Sequence, residues 1–157
     1  IPLNDETELI ATTLWGRIGL QDAFRTESVI SDFRRIRWAC EPLDWVRFNE
    51  EHDRCFRFLE QQVNRSTAKH IVVVTHHVPS FELVAPEFKG SPLNGAFAVE
   101  LGNYIAASPI EYWIYGHSHR NIDKVIGNTR CVSNQLGYVF GNEHSSFNTS
   151  AYIEIID

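Results

Sequence analysis

Short apolar runs separated by polar segments recur along the chain of 157 residues. Runs of this kind that are rich in β-branched residues are typical of buried strands. On this basis we predict strands at residues 9–15, 71–75, 112–115, 122–126, 129–133 and 151–156. Gly127 and Asn128 form a two-residue connection typical of hairpins, so we expect the strands on either side of them to pair.

One long segment has helical periodicity instead. In residues 43–65, apolar side chains recur every three or four positions, and charged residues occupy the other faces. The apolar stripe consists of Trp45, Phe48, His52, Cys55, Phe56, Leu59 and Val63. A second helix is predicted from Asn94 or Gly95 to Ala107. Strands alternating with helices predict an α/β fold, and the length fits a single domain over residues 1–157.

Four segments lack a clear period and are predicted as irregular. Residues 16–31 form a long loop with room for one helical turn. Residues 33–38 are either a short edge strand or part of that loop. Residues 76–91 form a proline-containing loop, and residues 141–150 form a polar, mobile segment.

Composition narrows the classes of function. The net charge of -6 and the pI near 5.6 argue against a nucleic-acid-binding domain, which needs a strong basic surface. The sequence contains no long apolar run, so we expect no membrane partner. Cys40, Cys55 and Cys131 are odd in number and form no Cys-x-x-Cys motif, which indicates buried free thiols and a cytoplasmic location. The chain has no methionine and begins with Ile1, so we expect it to be an internal part of a longer protein.

Four of the seven histidines follow directly after two predicted strands. His76 and His77 follow the run Val-Val-Val-Thr, and His117 and His119 follow Tyr-Trp-Ile-Tyr-Gly. Open α/β sheets place ligands at the carboxyl ends of their strands, and neutral imidazole is a common metal ligand. The sequence therefore predicts a metal site at this edge of the sheet, although ordinary loop histidines are the alternative interpretation.

The same motifs resemble a known family. Thr75-His76-His77-Val78-Pro79 and Gly116-His117-Ser118-His119 are similar to the last two metal motifs of calcineurin-like metallophosphoesterases. Residues 133–138 resemble the Asn-Pro-Arg-Gly-Tyr motif of bacterial members, with Gln135 and Leu136 in place of Pro-Arg, and residues 12–15 resemble an earlier strand. The family's N-terminal motifs Asp-x-His, Gly-Asp-x-x-Asp and Gly-Asn-His are absent from the sequence. The resemblance therefore implies the C-terminal half of a metallophosphoesterase β-sandwich flanked by helices.

The resemblance also implies a function. His76 and His117 would bind one divalent ion and His119 a second one, the ions being Mn²⁺, Fe or Zn²⁺. His77 and Asn134 would contact the substrate or support the ligands. Arg25 is assigned the same role because it lies in the long loop after the first strand, and such loops are often functional. Trp15 and Arg17 lie in the same region, where packing and solvated charge are the alternatives. The missing N-terminal half would supply the bridging Asp and the general acid His.

The expected activity is hydrolysis of a phosphate monoester or diester by a dinuclear metal centre. We expect no appreciable turnover from this chain alone, and association with its missing half or with itself through an exposed sheet face. The alternative is a non-catalytic interaction module that keeps the metallophosphoesterase-like sheet.

Overall fold

The structure, a computed structural model, describes residues 1–155. Its centre is a five-stranded sheet, whose strands in chain order are β1 (Thr7–Thr12), β4 (His70–Thr75), β5 (Tyr112–Ile114), β6 (Asp123–Ile126) and β7 (Thr129–Val132). The spatial order is β1-β4-β5-β7-β6, with β1, β4, β5 and β7 mutually parallel and β6 antiparallel to β7. The predicted α/β fold is confirmed at this level: helices pack on a mostly parallel sheet.

The predicted long helix is confirmed as α3 (Trp45–Arg65). It begins where sequence reasoning places it because the Asp44 carboxylate accepts a hydrogen bond from Arg47 N at 2.8 Å and so caps the helix N-terminus. Most of its apolar stripe is buried, although Trp45 and Phe56 are only half-buried, and Leu59 and Val63 share a core with Ile10 and Val73 of the sheet. Its N-terminal half, through Phe48, contributes to a second, smaller core.

That second core lies under two short helices, α1 (Ala23–Val29) and α2 (Asp32–Arg35). Residues 16–31 are therefore more helical than the single turn predicted. Residues 33–38 are only in part a strand, because Phe33 is a buried residue of α2. Only β2 (Arg37–Trp38) is extended, and it pairs with β3 (Glu41–Pro42) in a separate two-stranded ribbon.

The second predicted helix is much shorter than expected. Residues 94–96 form one 3₁₀ turn, and the helix α4 (Gly102–Ala107) begins only at Gly102. The prediction is wrong between them because the backbone around Ala98 pairs with Val78 in an isolated parallel bridge. The Val78 N donates to Phe97 O at 3.0 Å, and Val99 N donates to Val78 O at 3.0 Å.

Two predicted strands also have different limits. The prediction that the first continues to Trp15 is wrong, because β1 ends at Thr12 and both Leu14 (φ 68°) and Trp15 (φ 58°) are left-handed. Residues 151–155 form no strand, and Ile156 lies outside the described residues. The Tyr112 hydroxyl nevertheless holds this segment on the sheet through a 2.8 Å hydrogen bond to Glu154 O. The β6–β7 hairpin is confirmed, with Gly127 at φ +60°.

The two faces of the sheet differ in cover. One face carries α3 and α4, and its side chains, such as Val73 and Trp113, are fully buried. On the opposite face Val72 and Tyr112 are buried, whereas Val74 and Ile114 are only half-buried. This second face is apolar and only partly covered.

The cysteines are free thiols, as predicted, but their burial differs. Cys55 and Cys131 are buried, whereas Cys40 is exposed in the turn between β2 and β3, so the expectation of a third buried thiol is wrong. Among residues 1–155, no helix combines the length and apolar character that crossing a bilayer requires.

Candidate metal centre

The histidines meet at the carboxyl ends of β4 and β5, and backbone hydrogen bonds fix them there. The amides of His76 and His77 both donate to Thr13 O, at 3.3 and 3.2 Å, just past the end of β1. Gly116 N donates to His76 O at 3.0 Å and thereby joins the two histidine-bearing turns. The site is thus an extension of the parallel sheet beyond its last regular pairs, where this topology usually holds ligands.

Three imidazoles are in direct contact. The ring centroid of His117 lies 4.6 Å from that of His76 and 4.4 Å from that of His77, and the latter two are 5.2 Å apart. The structure therefore brings together side chains that are some forty positions apart in sequence. His77 is one of the three, whereas the predicted ligand set is His76, His117 and His119.

The backbone at the second motif is unusual. His117 and His119 both have positive φ, at 67° and 52°. Left-handed residues other than glycine are uncommon and concentrate at binding and catalytic sites, where surrounding contacts hold them. The alternating left-handed residues in Gly-His-Ser-His form a tight turn, which allows its two imidazoles to point differently from those on a regular strand.

Burial keeps the clustered imidazoles neutral. It lowers the pKa of His77 to about 3 and that of His117 to about 4, with neighbouring histidines acting in the same direction. Partial desolvation also lowers the pKa of His76, a residue that is exposed overall, and the charge of Asp32 opposes that effect. A metal ion binds only deprotonated imidazole, so these three side chains need lose no proton to act as donors at pH 7.

His77 differs from the others in being enclosed. Its Nδ1–H donates to Thr13 O at 3.3 Å, and its ring stacks on Trp15 with centroids 5.7 Å apart. Its Nε2 is buried without a hydrogen-bond partner among the described residues. Trp15, predicted either to contact substrate or to pack, here packs against a site residue.

A hydrogen-bonded chain links His77 to the centre of the sheet. The buried Trp113 Nε1–H donates to Thr75 Oγ1 at 3.0 Å, and the Thr75 hydroxyl donates to His77 O at 3.0 Å. This chain, referred to below as the Trp113–Thr75–His77 relay, fixes the turn that carries the Thr-His-His motif.

His119 is held by two residues that sequence reasoning did not assign to the site. Its Nδ1–H donates to Glu143 Oε2 at 2.9 Å, and its backbone N donates to Gln135 Oε1 at 2.9 Å. A carboxylate on one imidazole nitrogen fixes the tautomer and leaves Nε2 available to a ligand. The backbone N–H of Tyr138 also binds Glu143 and lowers its pKa. Gln135 gave a signal in sequence, since it replaces a proline of the motif, whereas Glu143 lies in a segment predicted only to be mobile.

Gly137 makes that support possible. It has φ +63°, and a Cβ placed on it would lie 2.6 Å from Glu143 Cβ and 3.3 Å from His119 Cβ. A side chain here would therefore displace Glu143 from His119.

Several of these site residues line a cavity of about 680 Å³. His76, His117 and His119 lie on its wall with the carboxyl groups of Asp32 and Glu143. Much of the remaining lining is apolar or aromatic, and includes Ile30, Phe88, Leu93, Phe97 and Tyr138. The volume lies within the range typical of small-molecule sites.

The other predicted site residues lie elsewhere. The Asn134 amide donates to Asn148 O at 2.8 Å and accepts from Asn148 N at 3.0 Å, so it anchors the C-terminal segment. Arg25 is exposed on α1, and Arg17 pairs with Asp53 on α3. None of the three is among the residues that line the cavity.

The donor atoms are of the kinds that bind divalent metal ions, but the described residues do not provide a complete set of metal ligands. Neutral imidazole suits Zn²⁺, Fe and Mn²⁺, and the bond from His119 to Glu143 is the support such a ligand usually has. Yet residues 1–155 contain no group of three or more His, Cys, Asp or Glu side chains so arranged that they could hold a metal ion. The histidines thus fit as part of a ligand set.

Comparison with known proteins identifies one relative. The chain is 27% identical, over 175 residues, to an uncharacterized protein of Acanthamoeba polyphaga mimivirus. The alignment covers 96% of this chain but 56% of the viral protein, so the chain spans little more than half the length of this relative. No family model matches the chain, and no solved structure matches it.

Proposed function

We propose that this chain carries the histidine side of a dinuclear metal centre that hydrolyses phosphate esters. The observation that supports the proposal is the contact between His76 and His117, which follow two adjacent parallel strands and line one cavity with His119. Histidines that served only in packing would have no need to line a cavity as neutral imidazoles at the edge of the sheet where this topology usually holds ligands. The similarity of both motifs to calcineurin-like metallophosphoesterases supplies the reaction class.

In this proposal His76 and His117 hold one ion and His119 the other. Bound Mn²⁺, Fe or Zn²⁺ would supply an activated water and polarise the phosphoryl oxygens. The residues of the chain provide neutral donors, and Glu143 holds His119 in the tautomer that leaves Nε2 available. A bridging carboxylate ligand and the general acid would come from polypeptide beyond this chain. We also propose that this chain folds as the C-terminal half of a metallophosphoesterase sandwich.

Metal titration tests the ligand assignment. We expect weak, calorimetrically detectable binding of Zn²⁺ and Mn²⁺ to the chain, reduced about tenfold or more in His76→Ala, His117→Gly and His119→Gly. Glycine replaces the two left-handed histidines because it tolerates positive φ. His144→Gln is the matched control, since His144 is exposed and lies outside the cavity. Undiminished binding after all three histidines are replaced would contradict the assignment.

Hydrolysis of 4-nitrophenyl phosphate and bis(4-nitrophenyl) phosphate with added Mn²⁺ tests the reaction class. We expect no appreciable turnover by the chain alone and turnover by the chain together with polypeptide that supplies the missing N-terminal motifs. Phosphoesterase activity absent from both, with metal binding intact, would instead support the alternative of a non-catalytic interaction module that keeps the metallophosphoesterase-like sheet. Light scattering tests the expected association of the chain with itself.

A further inference from the structure

We propose that the cavity beside the histidines takes esters whose alcohol portion carries a planar, uncharged ring, such as an aryl or arylmethyl group. This inference rests on the proposed function for the position of the phosphate, and on the cavity itself for the identity of the alcohol. It concerns the part of the substrate that does not react.

Aromatic rings surround the predicted ligands. The Phe97 ring lies 5.0 Å from that of His117 at an interplanar angle of 30°, and the Tyr138 ring lies 4.6 Å from that of His119, edge to face. Phe88 lines the same cavity. The alcohol portion of an ester bound at the histidines would therefore contact an aromatic ring, whether it extends past His117 or past His119.

These rings are more exposed than packing alone explains. Phe88 is 46% exposed and Tyr138 is 55% exposed, and Phe140, which stacks on Tyr138 at 5.1 Å, is 91% exposed. Large apolar side chains that cluster around a cavity mouth mark binding surfaces. Offset or edge-to-face contact with a ligand ring is the interaction such side chains make best.

The charge of the cavity excludes a polyanionic substrate. Within the described part of the chain, no lysine or arginine lines it, whereas Asp32 and Glu143 do. The nearby Arg120 does not line the cavity: its guanidinium lies over the Phe88 ring, 6.0 Å from the centroid, and its Nε donates to Glu87 Oε1 at 2.8 Å. A second phosphate or carboxylate on the alcohol, away from the histidines, would meet carboxylates and apolar walls with no lysine or arginine among the lining residues, while an uncharged ring would bury apolar surface.

Two phosphonates that are not hydrolysed test the inference without turnover. Benzylphosphonate and ethylphosphonate carry the same charged group and differ in the ring. We expect benzylphosphonate to bind the protein about tenfold more tightly or better in calorimetric titrations with Zn²⁺ present, from the extra buried apolar surface and ring contacts. The same titrations with EDTA measure the difference in affinity between the two phosphonates without any contribution from the metal.

Three variants identify the side chains responsible. Tyr138→Ala should reduce the benzyl-to-ethyl affinity ratio about fivefold, Phe88→Leu should reduce it while conserving apolar volume, and Tyr138→Phe should preserve it. Phe24→Ala is the matched control because Phe24 is 86% exposed on α1 and does not line the cavity. The ratio is informative because a change in metal affinity alters binding of both phosphonates equally.

The hydrolysis of benzyl phosphate and ethyl phosphate, whose leaving alcohols have similar basicity, separates this inference from the proposed function. A benzyl preference in binding, with no hydrolysis of either ester even when polypeptide carrying the missing N-terminal motifs is present, supports the inference and counts against the phosphoesterase. Equal affinity for the two phosphonates, an unchanged ratio in Tyr138→Ala and Phe88→Leu, or no binding of either compound would overturn the inference.

Discussion

The Trp113–Thr75–His77 relay gives a sharp prediction about how the sheet supports the site. Thr75→Val replaces the hydroxyl by a methyl group of nearly the same shape. It removes the acceptor of the buried Trp113 indole N–H and the donor to His77 O, both at 3.0 Å in the native protein. Because Trp113 is fully buried and Thr75 is 5% exposed, water cannot replace either partner without rearrangement of the sheet.

The magnitude follows from these two losses. Each buried polar group left without a partner costs about 1–3 kcal/mol, and the added methyl group returns about 0.8 kcal/mol at most. We therefore expect Thr75→Val to lower the free energy of unfolding by about 3 kcal/mol, which for a domain of this size lowers Tm by about 6–12 °C. Thr75→Ser, which keeps the hydroxyl and loses only the methyl, should cost about 1 kcal/mol.

Urea unfolding and calorimetry of a double-mutant cycle provide the assay. With Trp113→Phe already present, Thr75→Val should cost at least about 1 kcal/mol less than in the native background, because one of the two orphaned groups no longer exists. If Thr75→Val proves as stable as Thr75→Ser, or if the two substitutions are additive, the relay does not contribute as the structure indicates.

Three further predictions concern protonation, ligand support and turn geometry. Burial lowers the pKa of His52, whose Nδ1–H donates to Leu14 O at 3.0 Å. The unfolded state therefore binds more protons, and stability should rise with pH up to about 6.5. In metal-free buffer His52→Gln should reduce the slope of Tm against pH, and the remainder should come from His77 and His117, whose pKa values are also lowered. Glu143→Gln should weaken Zn²⁺ binding about 10–100-fold in calorimetric titrations, because it removes the carboxylate that orients His119, and unchanged affinity would exclude this role. Gly127→Ala should lower Tm by several degrees in thermal scans, since φ is +60° and the new Cβ would lie 2.5 Å from Ala106 Cα, whereas alanine at Gly90, which has open space, should cost less.

Local features of the sequence predicted the elements whose signals are local. The long helix α3 has its stripe and its Asp44 cap within one segment, and β4 is a continuous apolar run. The α/β class and the meeting of His76 with His117 follow from these elements, because parallel strands end at the same edge of the sheet.

The features that sequence reasoning missed depend on distant partners. Residues 97–99 have helical periodicity yet pair with Val78, about twenty positions earlier. The left-handed turn at Leu14 is held by His52, 38 positions later. Glu143 supports His119 from 24 positions away across a glycine with positive φ. In each case a tertiary contact overrides the local preference, and a periodicity argument has no means of detecting it.

The way the strands are ordered also separates the assembly of the site into two folding events. Pairing of β4 with β5 is sufficient to bring His76, His77 and His117 together, since all three follow directly from those strands. His119, however, is held by Gln135 and Glu143, which are in place only after the β6–β7 hairpin has joined the growing sheet. The β5–β7 pairing joins Tyr112 to Arg130, whereas the β4–β5 pairing joins Val72 to Tyr112 across a longer stretch of chain. Because longer-range pairings form more slowly, we expect the groups that orient His119 to be in place before the imidazole cluster appears. A chain in which β4 has not yet paired with β5 would therefore present an oriented His119 and no imidazole cluster.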